Sequence, residues 1–453
     1  MTGLALNWDL IGEQPTAIAV SGGADSFALL HAARARGLPT VALTVDHGLR
    51  EGSPTDAAVV AAWCAEHGVP HETLRWEGEK PKTGVQAAAR AARYRLLCEA
   101  SERLGLERLA TGHTMDDQAE TVFMRLRRGA GRGLAAMPPR RKIASGPGEP
   151  VELLRPMLSV RRAEARVYAE AHGLPVRDDP GNDDEGFERV RGRAVLGALE
   201  EQGLLTAEAL AATAAWILKS QLSERVTALR AWKETETDVL SDGTARVLHW
   251  DQSSFAAASW EPLTSADGAH DYEARVALLH QLCNAIGGSS TRSSGVPPER
   301  LPYEGRISLS GTLVVTDDGT MFVLREPAAL LGRADGTPGL APVPAAPGSR
   351  HLFDRRFVVI VPADAPPGLV LRPLGQLVPR DVATSTLARA RVSTLPVLSE
   401  GGRIVLLPEP AERAVRAALP GWKGAADVLP PEGATFPARS LLAERFAGEV
   451  IRY

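Results

Sequence analysis

The sequence predicts an α/β protein: a doubly wound parallel sheet, followed by a helical and α+β middle domain and a small α+β C-terminal domain. Residues 16 to about 112 alternate short apolar runs with helix-like stretches in βαβα order, as in parallel strands joined by crossover helices. The first apolar run meets a glycine-rich loop, "SGGADS", and then an apolar helix-like run. Beyond residue 231 the alternation gives way to polar turns, one helix and short strands.

In order, Thr16 to Val20 reads as a buried strand, and Phe27, Leu29, Leu30 and the alanines after them as a helix packed on a sheet. "TVALTVDHGL" is a second strand ending in Asp46 and His47, followed by a helix from about Pro54 to His67 and a strand near His71 to Trp76. "GVQAAARAARYRLLCEASERLG" is a long helix, "RLATGH" a strand and "TMDDQAETVFMRLRRG" a helix. After "VELLRPMLSV" come a helix from about Arg161 to His172, an acidic turn "RDDPGNDDEG" and more helix to about residue 230. A helix near Glu273 to Ala285 precedes "ISLSGTLVVTDDGTMFVLREPA", a β-hairpin around Asp318-Gly319. Pro, Gly and Ala crowd residues 327 to 350, which read as a linker. The expected division is 1–205, 206–330, a linker at 331–350, and 351–453.

The loop between the first strand and helix lies where open α/β sheets bind ligands. Gly22 and Gly23 permit a tight turn whose N–H groups approach an anion. Ser21 and Ser26 add hydroxyl donors, and the helix start favours negative charge. Asp25 is the odd member, since a carboxylate repels phosphate; a bridging cation such as Mg²⁺ resolves the conflict. A plain βα turn with an Asp or Ser N-cap is the bland alternative. The dipeptide Gly-Lys is absent, which excludes a P-loop, and the pattern is not GxGxxG.

At 453 residues there is ample length for several cores. A formal charge of −4 means that the chain as a whole is not a basic nucleic-acid binder, so basic patches must be local. Its three cysteines, Cys64, Cys98 and Cys283, form no CxxC, and their scarcity suits a reducing, cytoplasmic setting. The N-terminus does not read as a signal peptide, and no apolar run approaches a membrane span.

A second constellation is "TGHTMDDQAETVFMRLRRGAGRGLAAM". Asp117 and Glu120 are three apart on a helix and share a face suited to a cation, either a metal or an amine. Acids at a helix start also serve the macrodipole, and Thr114 with Asp117 could form a capping box. Gly112 and His113 end a strand on the same sheet edge as "SGGADS". Arg125, Arg127, Arg128, Arg132, Arg140, Arg141 and Lys142 follow with no acid from Thr121 to Gly148, an expected loop for phosphate-backbone contact or a solvated face.

Ser-Gly-Gly-x-Asp-Ser resembles the PP-loop of the ATP pyrophosphatases. With "VDHGLR", "AARAARYRLL", "GHTMDDQAETVFMRLRRGAG" and "DPGNDDEGFERVRGR" in order, residues 15 to 200 resemble the tRNA(Ile)-lysidine synthetase family. The hairpin at 307 to 326 and "LRPLGQLVPRDVATSTLARARVSTLPVL" resemble its two C-terminal modules.

This resemblance implies a PP-loop fold and a carbon–nitrogen ligase. ATP would adenylate the carbonyl oxygen on carbon two of the wobble cytidine of the isoleucine tRNA with CAU anticodon, and the ε-amine of free L-lysine would attack that carbon and displace AMP. Ser21, Gly22, Gly23, Ala24, Asp25 and Ser26, with Asp46, His47, Gly112 and His113, would hold ATP, and Asp25 would hold Mg²⁺. Asp117 and Glu120 would recognise lysine and assist its deprotonation. Arg90, Arg93, Arg189 and Arg193 would offset phosphate charge, and Asp25, Asp117, Glu120, Arg189 and Arg193 are the expected catalytic set. Arg125, Arg128, Arg132, Arg372, Arg389 and Arg391, with Arg380, would contact tRNA. The chain departs from the family pattern at Thr114 (usually His), Gly181 (usually Ser), Val190 (usually Asn) and a shortened loop at "GRGLAAM".

A tRNA-thiolating relative and a degenerate tRNA-binding relative remain as alternatives. The first needs a cysteine in a motif, and the second would not need an intact "SGGADS". A glutamine-dependent amide synthetase would need an N-terminal Cys nucleophile or a glutaminase module, and neither is read here.

Overall fold

In the computed structural model, residues 4–49, 52–129, 131–177, 188–248, 266–287, 305–317, 319–378, 385–418, 433–441 and 450–452 are described. They belong to two compact units, Met1–Leu222 with Val450–Tyr453, and Ser223–Glu449. Gly181 and Asn182 of the acidic turn, Asp318 and Arg380 lie outside the described residues.

The first unit is built on strands β1 (Thr16–Ala19), β2 (Thr40–Asp46), β3 (His71–Arg75), β4 (Arg108–Thr111), β5 (Arg140–Ala144) and β6 (Val151–Leu154). Their order is β5-β6-β4-β1-β2-β3, with the strand Val450–Arg452 beyond β5. β6, β4, β1, β2 and β3 run parallel, as the βαβα pattern predicts. β5 is antiparallel to β6, and Val450–Arg452 is parallel to β5. The chain steps from β1 to β2 and β3 on one side, then crosses to β4 on the other. The ends of β1 and β4 therefore flank a topological switch point.

The alternating side-chain directions of β1 feed two cores. Ile18 joins Leu10 and Ile11 of α1 (Trp8–Ile11), Phe27 and Leu30 of α2 (Ala24–Ala35), Trp63 and Cys64 of α3 (Ser53–Glu66), and Tyr168 of α6 (Arg162–Ala171). Ala17 and Ala19 face Tyr94, Leu97 and Cys98 of α4 (Val85–Arg103). Phe27, fully buried, contributes roughly 2–3 kcal/mol by leaving water. Both faces are thus covered, and the sheet is doubly wound. A third cluster joins α5 (Met115–Arg127) to α8 (Ala207–Glu234) through Ala119, Val122, Leu210 and Ala214. α7 (Glu188–Glu201) lies against α5, where buried Gly192 meets Phe123 and Met124.

The basic run is not one loop. Arg125 and Arg127 sit in α5, and Arg140, Arg141 and Lys142 in β5. Strand pairing with β6 overrides the weak propensity of an arginine-rich stretch that follows two prolines.

In the second unit, β7 (Asp238–Val239), β8 (Ala245–Val247), β9 (Gly305–Leu309), β10 (Thr312–Asp317) and β11 (Thr320–Arg325) form an antiparallel sheet ordered β7-β8-β11-β10-β9. "ISLSGTLVV" contains a second reversal, with Ser310 and Gly311 at positive φ, so the expected hairpin is three strands. The helix Ala266–Ile286 is longer than expected and aligns Leu278, Leu282 and Ile286 at four-residue spacing. The stretch read as a linker carries the short helix Pro327–Leu331 and the strand Val343–Pro344. Two further sheets and the helices Thr386–Ser393 and Glu412–Ala418 share a separate core around Phe353, Val397, Leu407 and Phe436.

Buried ion pairs cross this unit. Arg325 and Arg356 both reach Asp354, at 2.9 and 2.6 Å. Arg391, expected as a phosphate contact, donates to the fully buried Asp242 at 2.7 Å. Removing one partner of such a pair strands the other charge. Arg391→Ala is therefore expected to destabilise the second unit by roughly 3–5 kcal/mol. Denaturant unfolding followed by circular dichroism checks this.

Candidate functional site

At the switch point, the backbone from Ser21 to Ser26 turns off β1 into α2. Gly22 takes φ +90°, a region that side chains strain to enter, whereas Gly23 is extended and forms the N-cap of α2. Ser26 Oγ accepts from Ser21 N at 3.1 Å and donates to Gly23 O at 3.0 Å, which closes the loop on itself. Gly112, at the end of β4, passes so close that a Cβ there would lie 2.9 Å from the Asp25 carbonyl.

A cavity of about 590 Å³ opens on this edge. Ser21, Gly23, Ala24, Asp25, Ser26, Gly112, His113 and Asp117 line it, together with seven arginines from α4, α6, the stretch after α6, and α7. The predicted loop and the predicted strand-end residues are thus brought together.

Asp25 Oδ1 is buried and has no hydrogen-bond partner, while Oδ2 lies 3.9 Å from Arg162 Nε. Burial, reinforced by the charge of Asp117, pushes its carboxyl up to about 7. An orphaned carboxylate oxygen beside a phosphate-type loop fits a hard cation completed by ligand oxygens. Among the described residues, no three His, Cys, Asp or Glu side chains converge into a metal cage. His113 Nδ1 bonds Thr111 Oγ1 at 2.7 Å. Burial and the nearby Arg155, Arg93, Arg90 and Arg189 hold this ring well below the usual histidine range, so it is neutral.

Asp117 and Glu120 share one face of α5, and the structure engages both. Thr114 N donates to Asp117 Oδ2 at 2.8 Å, and Asp117 N donates to Thr114 Oγ1 at 3.4 Å, a complete capping box. Asp117 Oδ1 turns the other way and accepts from Arg162 and Arg189 at 2.9 and 2.6 Å. Glu120, only 3% exposed, accepts from Arg162 and Arg193 on Oε1, at 3.0 and 2.8 Å, and from Arg189 on Oε2 at 2.6 Å. The capping and ligand readings of this helix start are therefore compatible, one carboxylate oxygen to each. Behind the grid, Arg161 joins Asp116, Glu200 and Glu208 and so ties α5, α7 and α8 together.

Other expected site residues do not line the cavity. Asp46 ends β2, His47 follows it, and neither is among the lining. Despite burial, which pushes it upward, the Asp46 carboxyl is held below its usual range by Ser53 Oγ and Gly48 N–H. Arg125 donates to the carbonyls of Gly133 and Ala136, and Arg128 pairs with Glu188. Arg132 starts a short 3-10 turn. Arg372 and Arg389 lie half-buried in the second unit. Arg162, Arg166 and Arg177 were not anticipated. Arg162 had a signal: it opens α6, where the macrodipole disfavours a cation, and a charge in that position needs an acidic partner.

Residues 6–199 match the family model of the PP-loop domain. The chain is 47% identical over 190 residues to the tRNA(Ile)-lysidine synthase of Rhizobium meliloti (strain 1021), a match covering 39% of this chain and 42% of that protein. The synthase of Bradyrhizobium diazoefficiens is 39% identical over 287 residues, 60% of this chain and 72% of that one. That of Methylobacterium sp. (strain 4-46) is 38% identical over 332 residues, 72% of this chain and 88% of that one. In the first of these matches the chain spans less than half of the relative's length, but in the last it spans nearly all. On that coverage and identity, the chain belongs to the tRNA(Ile)-lysidine synthase family.

Proposed function

We propose that the protein joins free L-lysine to carbon two of the wobble cytidine of the isoleucine tRNA with CAU anticodon, cleaving ATP to AMP and pyrophosphate. One observation supports this most: a single cavity carries the Ser21–Ser26 anion loop and Asp117, with Glu120 just behind and joined to it through Arg162, Arg189 and Arg193, so that a place suited to phosphates adjoins one suited to amines.

In the first half-reaction, the loop N–H groups and the α2 N-terminus hold the triphosphate. The oxygen on carbon two bonds to the α-phosphorus, and the bridge to the β-phosphate breaks. Arg90, Arg93, Arg189 and Arg193 offset the charge that develops on the pyrophosphate. Asp25, through its orphaned oxygen, would hold Mg²⁺, whose charge assists the departure of pyrophosphate. In the second, the lysine ε-nitrogen bonds to carbon two and the bond to the AMP oxygen breaks. Asp117 and Glu120 orient the amine and accept its proton. His113, neutral among arginines, is a hydrogen-bonding wall and adds no charge.

The tRNA body would rest on arginines outside the cavity, with Arg128, Arg132, Arg372 and Arg389 as contacts and residues 206–330 and 351–453 as two tRNA-binding modules. The separate cores at 228–323 and 330–438 support that division. Such a substrate makes the cytoplasm the place of action; among the described residues, no helix is long and apolar enough to cross a membrane. Thiolation is disfavoured by the cysteines. All three are buried, and burial pushes Cys64, Cys98 and Cys283 up to about 11, 12 and 11, out of nucleophilic range.

The test is incubation with ATP, labelled lysine and total tRNA, followed by nucleoside analysis. Label in a modified cytidine supports the reading, and pyrophosphate release without it rejects the lysine step.

Asp25→Asn is expected to abolish tRNA-dependent pyrophosphate release. It should also stabilise the ligand-free protein at neutral pH. The native carboxyl sits at about 7 against 3.8 in the unfolded chain, so its stabilising contribution is complete below the lower value and lost as pH rises through the upper one. Melting temperatures without Mg²⁺ or nucleotide, from about pH 5 to about pH 8, should show the variant's advantage growing with pH.

Glu120→Gln is expected to lower lysine transfer more than adenylate formation. Adenylated tRNA should accumulate, and the lysine requirement should rise. Equal loss of both steps, in parallel with a lower melting temperature, would mean that Glu120 serves only to anchor the arginines.

A further inference from the structure

In the ligand-free protein the two carboxylates assigned to the amine are already taken. Arg162 and Arg189 hold Asp117, and Arg162, Arg189 and Arg193 hold Glu120, at 2.6 to 3.0 Å. These guanidiniums occupy the positions that an ammonium would need. All three also line the cavity that the Ser21–Ser26 loop opens into. They therefore face two kinds of anion: fixed carboxylates on one side and the place for phosphates on the other.

The charge balance around the cavity points the same way. Seven arginines line it against the carboxylates of Asp25 and Asp117, with Glu120 just behind. Lysine carries a net positive charge and meets a cationic surplus when the cavity holds no nucleotide. A triphosphate with one divalent cation brings net negative charge into the same space. It reduces the surplus, repels the carboxylates, and competes for the arginines through bidentate phosphate contacts.

We propose that Arg162, Arg189 and Arg193 are stand-ins for the amine, released by partner exchange, so that nucleotide must bind before lysine. Bound phosphates draw Arg189 and Arg193, both from α7, toward the loop. Arg189 is 41% and Arg193 38% exposed in the side chain, so both can change partner without unpacking a core. The oxygens they leave on Asp117 and Glu120 then accept the lysine ammonium. No covalent step is involved; the exchange is of ion-pair partners only. The device keeps Glu120 paired at every stage, which matters because an unpaired buried carboxylate is strongly destabilising. It also keeps lysine out until an activated carbon can be formed.

This inference rests on the proposed lysine reaction, and its test separates the two. Lysine binding to the full chain is measured by calorimetry with Mg²⁺, with and without an ATP analogue carrying a methylene between the α and β phosphates. The analogue should tighten lysine binding roughly tenfold or more, and lysine should tighten analogue binding by the same factor, as linkage requires. Arg189→Met, checked for folding by its melting temperature, should bind lysine without nucleotide more tightly than the unaltered protein does and should lose much of the coupling. Equal lysine affinity in both states of the unaltered protein overturns the exchange and leaves the proposed reaction standing, provided that labelled lysine still enters tRNA. Absence of lysine binding in either state, together with no transfer to tRNA, overturns both.

Discussion

Glu120 sets the terms for the first unit. It is almost completely buried, and an unpaired carboxylate in that position would cost several kcal/mol. Its charge is sustainable only because α6 delivers Arg162 and α7 delivers Arg189 and Arg193 to the same spot. The arrangement of three helices follows. α5 must begin at the β4 end to present its acids, α6 must start where its first arginine reaches them, and α7 must lie against α5, where Gly192 faces Phe123 and Met124. Arg161 repeats the theme one layer back, with Asp116, Glu200 and Glu208.

Asp25 obeys the opposite rule. Where Glu120 is saturated with donors, Asp25 has an oxygen with none, and burial with the nearby Asp117 charge holds its proton more tightly. Two acids that Arg162 approaches, at 3.9 Å for Asp25 and 3.0 Å for Glu120, thus differ in kind: one keeps an unpartnered oxygen and the other is surrounded by arginines. His113 completes the contrast, since burial and then the surrounding positive charge keep it neutral. The site divides its electrostatics by burial and neighbours rather than by residue type.

Much of this was legible in the residues. The βαβα order, the switch-point position of "SGGADS" and the shared face of Asp117 and Glu120 follow from period and spacing alone. The arginine grid did not: Arg189 and Arg193 were expected only through the family resemblance and Arg162 not at all, because pairing across helices leaves no periodic trace. The basic run misled for a related reason. Charge composition marks exposure only on average, and Arg125 is spent on backbone carbonyls while Arg140 and Arg141 join a strand. In the second unit, short strands joined by Pro and Gly turns gave their number less clearly than their class. The reversal at Ser310-Gly311 is one that a two-strand reading absorbs unnoticed.

The strand Val450–Arg452 gives the first sheet a neighbour drawn from roughly 300 residues beyond β5, a closure whose entropy grows only slowly with loop length. Until that strand has paired, one edge of β5 presents unpaired backbone groups. Arg140, Arg141 and Lys142 lie on this strand, and basic side chains on an uncovered edge discourage a second copy from adding itself there.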